Sequence, residues 1–546
     1  MKTKNISKRK RILLLIPFLL ALLIMLPRLL SPQFGLLDDA ATLARAEDIL
    51  HGNLNLESDL QAGRFRPIYW LFPAAIYLVA NGNSFWFFVG FLIILLLLVL
   101  VIQTHMKLRQ AGFWQIFLTS TLFVLTIPII ENFYTLSKGE PLQLLLILFA
   151  LVLLEFHKKA EEKRNLWWVD IASFLSILMA MLVKETAIII LPIALLWLGY
   201  VWVTNKNEDA QRRRAHLHFA ISAGLAVALM FLLRTVTGAS TIREGTYAYR
   251  YQFSITSILV QGARWLTLLA FYFHYLFIYS LSIILVILLG KARRQLLDYD
   301  FVFWGIWSLL WLAVLIPWEY AEAYYLLPFS AGVAVLIGFT TPLLIEHIQK
   351  IRRIPRFIVL ITLSLSGLLF GLTLPNYVTH ARMQLTFDQM NHEMLVFVAE
   401  NLPANGQVLI NIQQKNEYTE MIERFLVEQF DRKDITVENV DATVLAVLET
   451  NHGAWLLVPR ITNQPRLTVR AGVEERFQTA WNMTTLQNLN EDPVQLFSQM
   501  KTFRLANINL PVLVCPLIGE AGFCEQPDPL LDMRVFSYGW EIFQIK

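Results

Sequence analysis

Apolar residues in this chain come in blocks. Nearly uninterrupted apolar runs recur from Ile12 to about Leu374, separated by short, charged gaps. Each run is roughly twenty residues, the length an α-helix needs to cross ~30 Å of hydrocarbon. The pattern predicts helices near residues 12–30, 84–104, 113–130, 140–156, 167–183, 186–203, 215–234, 265–289, 300–316, 323–344 and 356–374. One further apolar stretch, Pro67–Ala80, is too short to span comfortably and ends in Asn81-Gly82-Asn83. It reads as a helix lying in the membrane interface or dipping part way into the bilayer. Beyond Leu374 charged and apolar positions mix as in an ordinary globular domain. The expected architecture is a polytopic α-helical membrane domain of about eleven transmembrane helices over residues 1–375, with a C-terminal α/β domain over 376–546.

Composition agrees. The chain is 56% hydrophobic and 16% charged, against about a quarter charged in soluble domains. The net charge of +4 averages over two membrane faces and points to no partner, nucleic acid included. The N-terminus, KTKNISKRKR before an apolar run, has the look of a signal peptide. The run is long, lacks a clear small-x-small cleavage site and is followed by more spans, so it reads as a retained anchor.

Basic residues orient the spans. With the N-terminus cytoplasmic, the inner segments 1–11, 105–112, 157–166, 204–214, 290–299 and 345–356 hold 23 Lys and Arg, against 10 on the other side. This follows the positive-inside rule. Were residues 67–80 a full span, the later clusters HKKAEEKR, QRRRAH, GKARRQ and QKIRRIPR would all move outside. The C-terminal domain is therefore expected outside the cytoplasm, in a multi-pass protein of the plasma membrane.

That sidedness gathers the notable polar residues on the outer face. The first outer segment, about 31–83, opens SPQFGLLDDAATLARAEDILHG, with Asp38 and Asp39 directly after the first span. Residues 40–50 read as an amphipathic helix with Leu43, Ala46, Ile49 and Leu50 on one side. GRFRPIYW follows, bringing Arg64, Arg66, Tyr69 and Trp70 into the short interfacial helix. Two adjacent acids there suit a general base or a divalent cation, and equally well an N-cap for the next helix. The loop ENFYTLSKGE sets Lys138 and Glu140 at the mouth of the fourth span, and LVKETA sets Lys184 and Glu185 between the fifth and sixth. Lys184 also suits a residue snorkelling from a helix end. WEYAEAYYLLP adds Glu319, Glu322, Tyr324 and Tyr325; residues 235–264 add Arg243, Tyr247, Tyr249, Arg250 and Tyr251. Interfacial aromatics often form only a belt. Taken together, cations at the headgroup level suit a phosphate, and aromatic planes suit a sugar or an isoprenoid.

At these residues the chain resembles GT-C type glycosyltransferases, similar in layout to the protein O-mannosyltransferases and the lipid A aminoarabinose transferases. Those families use a polyprenyl-phosphate sugar donor outside the cytoplasm. Asp38-Asp39 stands where they typically have Asp-Glu after the first helix. The resemblance implies that Asp38 is the catalytic base and Asp39 a supporting or metal-facing acid. Arg66 in RFRPIYW resembles the family's basic residue ahead of a Pro-aromatic helix. Glu140 in SKGEPL resembles the acid, more usually Asp, that opens the fourth span. Lys184 resembles the Lys that meets the carrier phosphate, and Tyr325 and Pro328 in YYLLPF the entry to a late span. The resemblance covers about residues 12–345. It implies a lipid, glycan or protein acceptor, and a Mg or Mn ion at Asp39 and Glu140. Arg64, Lys138, Glu185 and Tyr325 are further expected substrate contacts. A transporter or flippase for a lipid-linked or small polar solute is the alternative. It calls for charges near mid-membrane and inverted repeats, and the sequence has neither.

In the tail, residues 388–402 and 416–430 read as helices. GQVLINI, DITVENV and GAWLLVPR read as extended segments, TVLAVLE as a helix, and INLPVLVCPL and MRVFSYGWEIFQIK as strands. Such alternation suits an α/β sandwich with some parallel sheet. With no phosphate-binding glycine loop and no nucleophile–base motif, an accessory or acceptor-recognition role is expected. Cys515 and Cys524 flank PLIGEAGF and suit either a local disulfide or two buried thiols.

Overall fold

The computed structural model describes residues 8–36, 38–159, 166–204, 210–239, 250–290, 299–318, 320–349, 353–410, 417–439, 453–461, 483–491 and 538–545. A helix or a pair of helices lies at each stretch expected to span. Six of the described helices are long and apolar enough to cross a bilayer alone, eight if each of two bent pairs counts as one crossing. Ile16–Leu30, Pro67–Ala80, Trp167–Val183 and Phe301–Leu315 are shorter apolar helices. Leu100, Trp114, Phe149, Leu195, Leu232, Leu309, Phe357 and Leu368 lie exposed on the outside of the bundle. Apolar side chains exposed on this scale suit contact with lipid tails rather than water.

The two bent pairs break for different reasons. Phe113–Val124 and Ile127–Phe133 meet at 55°. Thr126, extended at ψ 143°, precedes the second piece, and Pro128 in its first turn has no N–H to bond back across the break. The continuous helix expected over 265–289 is instead two, Ile255–Tyr272 and His274–Gly290, bent by 86°. Phe273 leaves helical geometry at the break and packs edge-on against Phe329, centroids 5.4 Å apart. Burial of that ring competes with helix continuity, and no Gly or Pro announces the break.

Pro67–Ala80 forms the expected isolated helix of 14 residues. Asn81, in the left-handed region at φ 45°, ends it. Close packing fixes the late span Leu327–Ile348. A Cβ on Gly338 would come within 2.1 Å of Thr119 Oγ1 and 2.8 Å of the Thr119 backbone nitrogen. A Cβ on Gly332 would meet Ser308 and Trp307 at 2.4 and 2.5 Å. Glycines here let helix backbones touch, as small residues do in membrane bundles.

The last helix of the bundle, Arg353–Asn401, runs 49 residues without a break. Position 375, the expected domain boundary, lies inside it. Its polar C-terminal part packs on a five-stranded sheet through Trp540 Nε1, which donates to Asn391 Oδ1 at 3.0 Å. The strands are β1 Gln407–Ile410, β2 Thr436–Asn439, β3 Trp455–Ile461, β4 Met483–Glu491 and β5 Tyr538–Ile545, in the order β2-β1-β3-β5-β4. β1 pairs parallel with β2 and β3; β5 pairs antiparallel with β3 and β4. Helix Glu417–Phe430 connects β1 to β2. The mixed α/β pattern expected of the tail is present; β4 was not anticipated. TVLAVLE, INLPVLVCPL, Cys515 and Cys524 lie outside the described residues.

Candidate active site

The helix Asp38–Leu50 buries Ala40, Leu43 and Ala46, while Leu50 is exposed. Asp39 is buried too, at 2% exposure. Its carboxylate accepts the Gly35 N–H at 2.9 Å on one oxygen and the Leu136 N–H at 2.8 Å on the other. These donors lie outside its own helix, so the bonds are not an N-cap. They tie the segment ahead of this helix to the chain leading into the helix Glu140–Lys159. Burial, and next the charge of Asp388, push the Asp39 carboxyl up to about 7, against the pull of the two amides and Arg28. The side chain of Asp38, one residue earlier, lies outside the described residues.

A second cluster forms where helix starts and ends meet. Glu140 opens the helix Glu140–Lys159. Lys184 closes Trp167–Val183 with extended backbone, and the 3-10 turn Glu185–Ile189 follows. Lys184 and Glu140 form a direct ion pair, Glu140 buried and Lys184 partly exposed. Gln143, one turn beyond Glu140, donates to the Lys184 carbonyl at 2.8 Å and to Thr186 at 3.1 Å. The Lys184 ammonium also stands 4.4 Å from the ring centre of Tyr325, and that of Lys138 4.0 Å from Tyr324. The two tyrosine rings are 4.1 Å apart. Asn132 holds the turn that carries them, donating to the Tyr324 carbonyl at 2.9 Å. Cations over ring faces gain from the ring quadrupole, so this is a cationic patch with an aromatic floor.

The helix Pro67–Ala80 closes one side. Tyr69 Oη donates to the Ser137 carbonyl at 2.6 Å. Between them Gly139 is needed for closeness: a Cβ there would sit 2.9 Å from the Tyr69 ring and 3.1 Å from Val183. Arg66 stacks 4.2 Å from Tyr69 and binds Asp59 through two nitrogens, at 2.9 and 3.1 Å to Oδ1. Trp70 Nε1 donates to the same carboxylate. Glu185 accepts the Phe65 N–H at 3.3 Å. Arg64 lies within electrostatic range of Lys184.

The structure thus brings Lys138, Glu140, Lys184 and Tyr325 together, with Arg64, Arg66 and Glu185 on the flank. Asp39 joins them through the 136–139 segment. Asp39 accepts two amides and Glu140 pairs with Lys184, and neither belongs to the one group of three His, Cys, Asp or Glu close enough to hold an ion among the described residues. Of the 235–264 loop, Arg250 donates to Tyr320 Oη at 2.6 Å, and Tyr251 bridges to Trp318. Arg243, Tyr247, Tyr249 and Glu319 lie outside the described residues. Sequence reasoning missed Asp59, the partner that occupies Arg66; nothing marks it in a polar loop. It also missed Arg28, which a charge inside an apolar run would have flagged.

No protein-family model matches the chain, and no curated protein matches it. Solved structures do. ArnT from Cupriavidus metallidurans, determined with undecaprenyl phosphate, aligns with a TM-score of 0.50 and 12% identity over 87% of this chain and 96% of its own. The Archaeoglobus fulgidus oligosaccharyltransferase, tethered to an acceptor peptide, aligns with a TM-score of 0.51 and 10% identity over 99% of this chain and 89% of its own. The same enzyme in complex with zinc and sulfate aligns at 0.51 and 11%, over 98% and 88%. These likenesses establish the fold: a polytopic helical membrane protein of the GT-C type.

Proposed function

We propose that this chain is a membrane glycosyltransferase that moves a sugar from a polyprenyl-phosphate donor to a lipid, glycan or protein acceptor outside the cytoplasm. The observation that carries this reading is the convergence of Lys138 and Lys184 on the Tyr324–Tyr325 rings at the mouth of several helices. Phosphate needs concentrated positive charge, and an isoprenoid or sugar needs an apolar or aromatic face. The related folds were determined with undecaprenyl phosphate and with an acceptor peptide. The topology that goes with this function has eleven crossings, a cytoplasmic N-terminus and a plasma-membrane location. The basic-residue count supports it.

In this mechanism the donor enters from the outer leaflet. Lys184, Lys138 and Arg64 bind its phosphate. Arg66, held by Asp59, shapes the flank with Tyr69. Asp38 takes the proton from an acceptor hydroxyl, whose oxygen attacks the anomeric carbon. The carbon–oxygen bond to phosphate breaks, and polyprenyl phosphate leaves with its charge against the lysines. One base and a stabilised leaving group suffice for an inverting displacement. Asp39 fixes the helix that begins at Asp38. Purified protein should transfer sugar from a member of a polyprenyl-phosphate sugar panel, and Asp38→Asn should abolish transfer while leaving a folded protein. Full activity in that variant sinks the assignment of the base; no transfer from any donor sinks the reaction class.

A further inference from the structure

Three helices that contribute to the outer cluster, or lie beside it, also meet at their other ends. Glu140–Lys159 carries Glu140 at its start and His157 in its last turn, about 25 Å away at 1.5 Å per residue. Trp167–Val183, which ends against Lys184, carries Asp170 in its first turn. Ala210–Val236 brings His218 alongside. The His218 Nδ1 lies 2.8 Å from one Asp170 oxygen, and the His157 Nε2 lies 3.6 Å from the other. The two imidazole centres are 5.2 Å apart. One ligand atom from each of the three residues falls within 4.8 Å of the others, and no other set of three His, Cys, Asp or Glu among the described residues does so.

Two further observations point to a ligand. His157 is buried at 5% exposure, and its Nε2, the nitrogen that faces Asp170, stands 3.6 Å from that carboxylate, beyond hydrogen-bonding range. A buried imidazole so placed costs free energy unless something else occupies it. Beside Asp170 and His218 opens a cavity of about 360 Å³, lined also by Phe174, Ser222 and Leu225. Ser222 donates to the Asp170 carbonyl at 3.3 Å, fixing that turn.

We propose that His157, Asp170 and His218 form a Zn²⁺ site that clamps these three helices at the end opposite the outer cluster. Two imidazoles and one carboxylate suit Zn²⁺ and its analogue Co²⁺, whereas Mg²⁺ and Ca²⁺ take oxygen ligands. Ligand bonds near 2.0–2.2 Å put donor atoms about 3.3 Å apart in a tetrahedral site, so side-chain movements of about an ångström bring all three donors onto one ion. Arg214, one turn ahead of His218 and within range of His157, opposes a cation there. Its neutralisation should tighten binding.

The test uses full-length protein in detergent, purified without a polyhistidine tag and stripped with a chelator. Titration with ZnCl₂ followed by calorimetry should give one ion per chain and raise the unfolding temperature. CoCl₂ should give the visible absorption of a nitrogen- and oxygen-ligated site. His157→Gln and His218→Gln should each weaken Zn²⁺ binding at least about 100-fold and abolish the thermal shift. Arg214→Gln should bind more tightly, and Lys184→Ala should bind as the parent does. Unchanged Zn²⁺ affinity in both histidine variants overturns the proposal. So does a parent protein that takes up no ion, which would leave a hydrogen-bonded clamp of Asp170 and His218.

Discussion

Arg28 and Asp388, 360 residues apart in the chain, form a fully buried ion pair with 2.5 Å between nitrogen and oxygen. The same guanidinium donates to the Tyr134 carbonyl at 2.6 Å and lies 4.1 Å from the Phe88 ring centre. Arg28 ends the helix Ile16–Leu30 and Asp388 sits on the long helix Arg353–Asn401, so the pair ties the first and last helices of the bundle together beside Asp39. Gly35 fits between the two acids. A Cβ there would stand 3.2 Å from an oxygen of each.

Breaking this pair should cost more than replacing it. Removing one partner of a buried pair leaves a charge uncompensated and costs about 3–5 kcal/mol. Asp388→Leu should therefore unfold at markedly lower temperature than the parent. The double variant Arg28→Met with Asp388→Leu should recover much of the loss. Thermal unfolding in detergent checks both, and additive losses would rule out the coupling.

Asp39 should make stability depend on pH. Its carboxyl is raised from 3.8 to about 7 in the folded protein. A folded state that holds the proton more tightly is favoured where the proton is bound. The contribution is full below about pH 3.8 and is lost as pH rises through about 7. Asp39→Asn removes this slope, so the difference in unfolding temperature between variant and parent should change across that window and flatten above it. A constant difference from pH 4 to 8 contradicts the shift.

Lys184 should govern the donor rather than the fold. A charge-assisted hydrogen bond contributes about 1.5–3 kcal/mol, or roughly 10–100-fold in affinity. Lys184→Ala should raise the KM for the polyprenyl-phosphate donor by that factor. The KM for the acceptor should stay near the parent value. Equal effects on both substrates would point to a structural role through Glu140.

Gly338→Ala should destabilise, because its new Cβ meets the Thr119 side chain and backbone. Overpacking of this kind costs about 1–3 kcal/mol. Gly367→Ala is the control: nothing lies within 4 Å of its Cβ position, and Ala is the better helix former. Unfolding temperatures should fall for the first and hold or rise for the second.

The membrane helices and the isolated Pro67–Ala80 helix were legible because hydrophobic length is a local property, written in consecutive residues. The cluster around Lys184 was legible in part. Lys138, Glu140, Lys184 and Tyr325 each sit at a helix end, where a charge or a tyrosine stands out against an apolar run. Their partners were not legible. Nothing near Arg66 in the pattern names Asp59 as its mate, and nothing near Asp39 names the amides of Gly35 and Leu136. The break at Phe273 was hidden because an aromatic side chain, not Gly or Pro, causes it.

The sequence by itself determined that the chain is a membrane protein and where most of its helices lie, and its basic residues gave an expected sidedness. Transfer of apolar side chains out of water and the loop charges act residue by residue, so a linear reading captures them. Only the tertiary structure decided that Arg28 meets Asp388, that Asp39 binds two amides rather than capping its helix, and that His157, Asp170 and His218 converge. Those contacts depend on which helices lie side by side, which is settled by close packing such as Gly338 on Thr119.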